Sequence, residues 1–330
     1  MSKKYDVCAI GNALVDYEIE VNDEFFSSNK VEKGVMTLVE EDRQAELLEK
    51  VAGKIKKKQG GGSAANSIFG LAQFGGNGYY TCKVASDTDG SFFIDELVNN
   101  GIDTNLDPAN LLDGTTGKCL VMVTPDAERT MNTYLGITSD LSEKEISTEA
   151  ITESNYVFLE GFLVSSPTGM EAMKNAKRIA EEKGTKVSLT FSDPAMVKYF
   201  KDQMHEVVGN GVDFLFCNEE EAMLFTGTDN LDAAKDGLKK VAKEFAITKG
   251  KEGAIVFDGS EFIDIDPFKT EAVDTTGAGD MFAGAFLYAI NHGHSHKEAG
   301  TLASAASSAV VSQYGPRLSQ SVIKEIINGL

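Results

Sequence analysis

The stretch Val273-Asp-Thr-Thr-Gly-Ala-Gly-Asp280, followed by the apolar run 281–290, decides the reading of this chain. A strand-like end enters a glycine turn, and the turn enters a helix. Successive backbone N–H groups at Gly277, Ala278 and Gly279 would then point into space at a helix N-terminus, forming an anion hole for a transferring phosphoryl group. Glycines let a phosphate approach the backbone closely. Asp280 falls in the first helical turn, where the helix dipole favours its charged form. A carboxylate there can accept the proton of an attacking hydroxyl. Read without that chemistry, Asp280 caps the helix and the glycines make a tight turn.

Outward from this stretch, strand-like and helix-like segments alternate. Strands are expected at 5–10, 156–159, 187–191, 214–217 and 245–248, and helices at 169–183, 195–208 and 231–243. A hairpin is expected at 253–265, turning at Asp258-Gly259. Such alternation predicts an α/β chain with a mostly parallel sheet covered on both faces. Residues 17–38 and 115–138 break the pattern: they read as β-rich, without helices. Two such insertions could pair into a small sheet over the site, a lid that excludes water. The expected organisation is a discontinuous catalytic domain (1–16, 39–114 and 139–330) with a lid (17–38 and 115–138).

Further motifs stand along the chain. Gln59-Gly-Gly-Gly-Ser-Ala-Ala-Asn66 opens a small-residue helical segment, where Gly61 and Gly62 let a substrate lie against backbone and Asn66 offers both donor and acceptor. Asp16, in Gly11-Asn12-Ala-Leu-Val-Asp16, sits just beyond the first strand, where it could hold a diol or could be a solvated turn residue. Asn218-Glu-Glu-Glu221 and Phe191-Ser-Asp193-Pro each end a strand, and Thr248-Lys249-Gly250 with Gly253 follows another. Arg129 lies in the second inserted segment; Arg suits phosphate because its fork pairs with phosphate oxygens and stays charged.

Asp-Thr-Thr-Gly-Ala-Gly-Asp280 resembles the C-terminal signature of the ribokinase-like (PfkB) carbohydrate and nucleoside kinases. Gly61-Gly62-Ser-Ala-Ala-Asn66 resembles the family's N-terminal motif, Asn218-Glu-Glu-Glu221 its N-x-x-E motif, and Thr248 to Gly253 its nucleotide segment, all in the family's order. The resemblance implies a three-layer α/β/α ribokinase-like fold with a small β lid. It implies an ATP-dependent kinase with Asp280 as base and Gly277, Ala278 and Gly279 as anion hole. Asn12, Asp16, Gly61, Gly62, Asn66 and Arg129 would bind the acceptor. Asp193, Asn218, Thr248, Lys249, Gly250 and Gly253 would border the nucleotide, and Glu221 would order Mg²⁺ through water. A monovalent cation, K⁺ in the family, would fall on Asp274 and the Thr276 carbonyl. The loop at Gly315 departs from the family: Gly-Pro-Arg stands where Gly-Ala is usual. The N-terminal pattern, 32–38 and 129–135 most resemble bacterial adenosine kinase-like members. The expected acceptor is therefore the 5′-hydroxyl of a ribonucleoside, adenosine first. The alternative is a sugar kinase acting on ribose, fructose or 2-keto-3-deoxygluconate. An aromatic clamp for a purine could come from Tyr134 or Phe162, and a homodimer could form through the lid.

Composition narrows the rivals. A net charge of −20 repels nucleic acid and anionic membranes, so neither is expected as a partner. It repels ATP too, so a nucleotide site must make its own positive potential. No G-x-x-x-x-G-K-[ST] occurs, and Gly11 has no G-x-G-x-x-G around it, which argues against P-loop and dinucleotide enzymes. Cys8, Cys82, Cys119 and Cys217 lie far apart in mostly apolar runs and read as buried reduced thiols. The start of the chain runs directly into a strand, and the expected location is cytoplasmic. His292, His294 and His296 read as a polar loop, and 54–58 as a solvated basic helix end.

Overall fold

The computed structural model describes residues 3–125 and 128–329. The first half runs β1 (Tyr5–Ile10), β2 (Leu14–Glu20), α1 (Asp23–Asn29), β3 (Met36–Leu38), α2 (Glu41–Val51), β4 (Ile55–Gly61) and α3 (Ser63–Gln73). It continues with β5 (Gly78–Thr81), α4 (Thr88–Asn99), β6 (Asp103–Thr104), β7 (Thr116–Val123) and β8 (Arg129–Gly136). The second half runs α5 (Thr148–Thr152), β9 (Ser154–Glu160), α6 (Pro167–Lys183), β10 (Lys186–Thr190), α7 (Pro194–Tyr199), α8 (Lys201–Val208), β11 (Val212–Asn218), α9 (Glu219–Thr226), α10 (Leu231–Leu238) and β12 (Ala242–Thr248). The hairpin β13 (Ala254–Phe257) and β14 (Phe262–Ile265) precedes α11 (Ala278–Asn291), α12 (His296–Val311) and α13 (Gln320–Gly329).

The large sheet has the order β14-β13-β12-β11-β10-β9-β1-β5-β6. It is parallel from β12 to β6, with the antiparallel hairpin at one edge. Because side chains alternate across a strand, Val7 and Ala9 of β1 join the core under α3, α11 and α12, while Cys8 and Ile10 join the core on the opposite face with α6, α8 and α9. Both faces are covered, which is the three-layer α/β/α architecture expected. All four cysteines are buried free thiols.

The small sheet, β3-β8-β7-β2-β4, is where expectation and structure differ. Its fifth strand, β4, pairs antiparallel with β2 and comes from 55–61, so the sheet takes more of the chain than 17–38 and 115–138. Of the basic run 54–58, Lys56, Lys57 and Lys58 belong to this edge strand and not to a helix end; Lys56 pairs with Glu20 and Lys58 with Asp89. Lysines are common on edge strands because they deter pairing with another chain. Helix α1 forms inside 17–38, because Asn22 caps it by accepting from Phe25 N–H and Asp23 and Glu24 suit its first turn. The expected single helix 195–208 is broken at Phe200 into α7 and α8.

Alternation also orients the small sheet. Ile19, Leu120 and Met122 pack on one side with Phe25, Phe26, Leu47 and Val51 of α1 and α2. Asp16, Glu18, Cys119 and Val121 line a cavity on the other side. His296 begins α12, its ring 6.1 Å from that of Phe286. Among the described residues no helix is long and apolar enough to cross a membrane.

Candidate active site

The cavity, of about 560 Å³, lies at the carboxyl ends of the parallel strands and beneath the small sheet. Open α/β sheets bind ligands at this end because the strand-to-helix loops and helix N-termini collect there. Asn12 follows β1, Glu160 ends β9, Thr190 ends β10, Asn218 ends β11 and Thr248 ends β12, and all five line it.

Gly277, Ala278, Gly279 and Asp280 line it from the start of α11. Gly277 caps the helix at φ 76°, and a methyl on it would lie 2.6 Å from Pro316 Cβ, so a side chain is excluded there. Ala278 N–H donates to the Thr275 carbonyl at 3.2 Å. The N–H groups of Gly277 and Gly279 have no acceptor among the described residues. Asp280 Oδ1 accepts from Ser63 Oγ–H at 2.6 Å and Oδ2 from Asn66 Nδ2–H at 3.0 Å. Burial pushes the Asp280 carboxyl up to about 6, against the pull of Ser63, Asn66 and the Arg317 charge. The approach of α11 to α3 makes these bonds possible. Gly284 of α11 lies so near Ser67 of α3 that a methyl would sit 2.2 Å from its carbonyl oxygen.

On the acceptor side, Asp16, Gly62, Asn66 and Arg129 line the cavity. Asp16 is a strand residue and not a turn residue; burial pushes its carboxyl up to about 7, opposed by the charges of Arg317 and Arg129. Gly61 leaves room for it, since a Cβ there would lie 2.3 Å from Asp16 Oδ2. Asn12 reaches the cavity, but its carboxamide is already engaged. Nδ2 donates to Glu160 Oε1 at 2.8 Å, and Oδ1 accepts from Thr138 Oγ1. Glu160 also accepts from Ala64 N–H at 2.8 Å, and burial pushes its carboxyl up to about 7. Its sequence signal is a lone acid closing the apolar strand Ser-Asn-Tyr-Val-Phe-Leu-Glu160. Phe162 lines the cavity; Tyr134 is not among its lining residues, lying on β8 between the lining residues Thr133 and Leu135.

On the nucleotide side, Asp193, Asn218, Glu221 and Thr248 line the cavity, while Lys249, Gly250 and Gly253 form the turn between β12 and β13 outside the lining. Asn218 and Glu221 close a capping box: Asn218 Oδ1 accepts from Glu221 N–H at 2.8 Å, and Glu221 Oε2 from Asn218 N–H at 2.9 Å. Burial pushes the Glu221 carboxyl up to about 7, with Asp193, Glu220 and Asp280 adding to the effect. Asp193 caps α7 by accepting from Ala195 N–H at 2.7 Å. Before it, Ser192 holds φ 69°, and its buried hydroxyl has no partner.

The carboxylate of Asp274 is surrounded by nitrogen donors. Oδ1 accepts from Thr276 N–H at 3.0 Å, Oδ2 accepts from Gly315 N–H at 3.0 Å, and Arg129 Nη2 lies 2.8 Å from Oδ2. Arg129 meets Asp274 as an ion pair without hydrogen-bond alignment, and its guanidinium lies 5.6 Å from the Tyr314 ring centre. A guanidinium thus supplies the positive charge expected of a monovalent ion, so Asp274 and Thr276 in this arrangement do not fit one. Arg129 lines the cavity with its guanidinium paired to Asp274.

Sequence reasoning passed over Ser63, Glu160 and Arg317. Ser63 stands inside a quoted motif, and Arg317 stands where the motif pattern departs.

The model of the pfkB family of carbohydrate kinases matches residues 36–323. This chain belongs to that family. It is therefore a phosphotransferase with an alcohol group as acceptor, of a family whose kinases use ATP. The crystal structure of an adenosine kinase from Sinorhizobium meliloti superimposes with a TM-score of 0.90 at 33% identity, covering 99% of this chain and 100% of that one. A nucleoside kinase from Methanothermobacter thermautotrophicus is 28% identical over 96% of this chain and 92% of its own. A ribokinase from Staphylococcus aureus is 25% identical over 82% of this chain and 88% of its own. Similarity thus extends to nucleoside and sugar kinases of the pfkB family alike.

Proposed function

We propose that this kinase transfers the γ-phosphoryl group of ATP to the 5′-hydroxyl of a ribonucleoside, with adenosine as the first candidate. The observation that carries this reading is the two-sided wall of the acceptor end. Asp16 and Asn66 offer a polar corner, while Val121, Met131, Leu135 and Phe162 give an apolar wall. A free sugar carries hydroxyls all round and would leave that wall against polar groups. A nucleoside places its diol at the corner and its base on the wall. The similarity to the Sinorhizobium meliloti adenosine kinase supports the same choice.

In the proposed step the acceptor hydroxyl gives its proton to Asp280 as its oxygen bonds to the γ-phosphorus. The bond from that phosphorus to the β,γ-bridging oxygen breaks, and ADP leaves. The unpaired N–H groups of Gly277 and Gly279 face the charge on the transferring group. Among the described residues no cluster of three or more His, Cys, Asp or Glu side chains could hold a metal alone. Mg²⁺ needs no such cage, since it usually binds through one or two carboxylates and substrate phosphates. Glu221 fits that part: one oxygen is fixed by Asn218, and the other has no hydrogen bond among the described residues. Mg²⁺ held there would neutralise charge on the ATP phosphates.

The acceptor reading is tested by ATP consumption with adenosine, 2′-deoxyadenosine, ribose, fructose and 2-keto-3-deoxygluconate. Adenosine should give the highest kcat/KM. 2′-Deoxyadenosine should be poorer by about tenfold or more, because its missing hydroxyl leaves a buried group unpaired. Asp16→Ala should narrow that gap. A free sugar outperforming adenosine would transfer the assignment to the sugar kinases.

Glu221→Gln should shift the Mg²⁺ titration of activity to higher concentration while leaving the acceptor KM largely unchanged. Glutamine keeps the capping bond to Asn218 and loses only the charge. A superimposable titration would confine Glu221 to the cap of α9.

A further inference from the structure

We propose that Arg317 is a positioning residue for phosphoryl transfer, fixing the Asn66 carboxamide so that its amino group, and not its oxygen, faces Asp280. The proposal rests on the reading of Asp280 as the base. Arg317 belongs to the segment after α12 where Gly-Pro-Arg replaces the family's usual Gly-Ala. Its Nη1 donates to Asn66 Oδ1 at 3.1 Å and its Nη2 to the Gly60 carbonyl at 2.6 Å. The guanidinium carbon lies 3.6 Å from the centre of the Phe69 ring. One side chain thus joins the end of β4, the α3 residue Asn66 and the core.

The donor and acceptor inventory makes the arrangement directional. A guanidinium has only donors, so the Asn66 oxygen must face Arg317. An ionised carboxylate has only acceptors, so the Asn66 amino group must face Asp280. The two requirements agree and admit one orientation of the amide. Without Arg317 only the charge of Asp280 holds that orientation, and on protonation of Asp280 the amide can turn over and set Oδ1 against its carboxyl. Two acceptors in contact repel unless a proton lies between them. The turned amide would therefore favour protonated Asp280, which cannot accept the acceptor's proton.

The charges around Asp280 give Arg317 a second effect of the same sign. Asp280 acts as a like charge on Asp16 of β2, Glu160 of β9, Glu221 of α9 and Tyr80 of β5. Arg317 is the cation that acts against burial to keep Asp280 ionised. Burial lowers Arg317 itself only to about 10, opposed by Glu96, Asp16 and Asp280, so it remains charged at neutral pH.

The test compares Arg317→Met, which keeps the stem over Phe69, with Arg317→Lys, which keeps the charge without the fork. Each is measured for fold by circular dichroism, for both KM values, and for kcat and kcat/KM across the acid limb. Arg317→Met should lower kcat about ten- to a hundredfold, the worth of hydrogen bonds to a charged group. Its acid limb should move up by about one pH unit, since an amide donor and a cation no longer favour the charged base. Arg317→Lys should return part of the limb shift and little of the kcat. In an Asn66→Ala background, Arg317→Met should cost much less than alone, because it acts through Asn66. An unmoved acid limb, or losses that multiply in the double variant, would overturn the proposal. If Arg317→Met does not fold, the limb and kcat of Arg317→Lys decide it: wild-type values for both would overturn it. Retained turnover in Asp280→Asn would instead remove the base reading on which it stands.

Discussion

Asp280→Asn is expected to reduce kcat by about 10²–10⁴-fold or more, the range over which a positioned general base contributes, while the protein folds and binds both substrates. The replacement is gentle because the site can satisfy an amide. The oxygen of the introduced amide can accept from Asn66 Nδ2–H, and its amino group can donate to the Ser63 hydroxyl, which rotates to accept. Only the capacity to take a proton is gone. In the native protein kcat/KM should rise with pH through about 6 and then level, because Asp280 must be ionised to act and burial has pushed its carboxyl up to about 6. Stability runs the other way. The folded value lies above the unfolded 3.8, so this group's contribution is full below 3.8 and is lost as pH rises through about 6. At neutral pH and above, the ionised carboxyl costs the substrate-free protein at most about 3 kcal/mol. Asparagine does not ionise, so the variant should melt above the native protein at about pH 8, with the difference shrinking below pH 6. A variant that turns over normally would remove Asp280 from the chemistry. A variant that melts lower at high pH would show that the carboxylate is not strained by burial.

Features that rest on local backbone demands were readable before the structure. A glycine turn before a helix and Asp-Gly at a hairpin tip each leave a mark within a few residues. The alternation of apolar strands and helices carried the three-layer fold for the same reason. Features that depend on distant partners were not readable. Ser63 and Asp280 are 217 residues apart, and Arg317 lies 251 residues from Asn66. No local pattern says that a serine, an asparagine and an arginine will meet at one carboxylate. Strand β4 was missed because its lysines point outward from an edge, and a basic run on an edge strand resembles the solvated end of a helix. Arg129 was readable as a cation over the site, but its partner was not, because the Asp274 carboxylate that receives it belongs to a different layer.

The paired substitutions Gly277→Ala and Gly279→Ala should separate the architecture of the anion hole from its chemistry. At Gly277 the backbone is left-handed, φ 76°, and the added methyl would meet Pro316 Cβ at 2.6 Å. That variant should lose both stability and turnover, since relieving the clash displaces the loop that carries Arg317. At Gly279 the backbone is helical, and no heavy atom lies within 4 Å of an added Cβ. Alanine there should leave the melting temperature unchanged or raise it slightly, because glycine inside a helix costs about 0.5–1 kcal/mol relative to alanine. Yet Gly279 lines the cavity, and its unpaired N–H is one of the two that would face the transferring phosphoryl group. A methyl group beside that N–H holds the phosphoryl oxygens off the backbone. Losing one such donor elsewhere costs about 10²–10³ in kcat, and a loss of that order is expected for Gly279→Ala, with the acceptor KM little changed. Native kcat in a stable Gly279→Ala protein would mean that the phosphoryl group does not approach the start of α11. A large loss without a fall in stability is an outcome that a purely structural turn at 277–279 cannot produce.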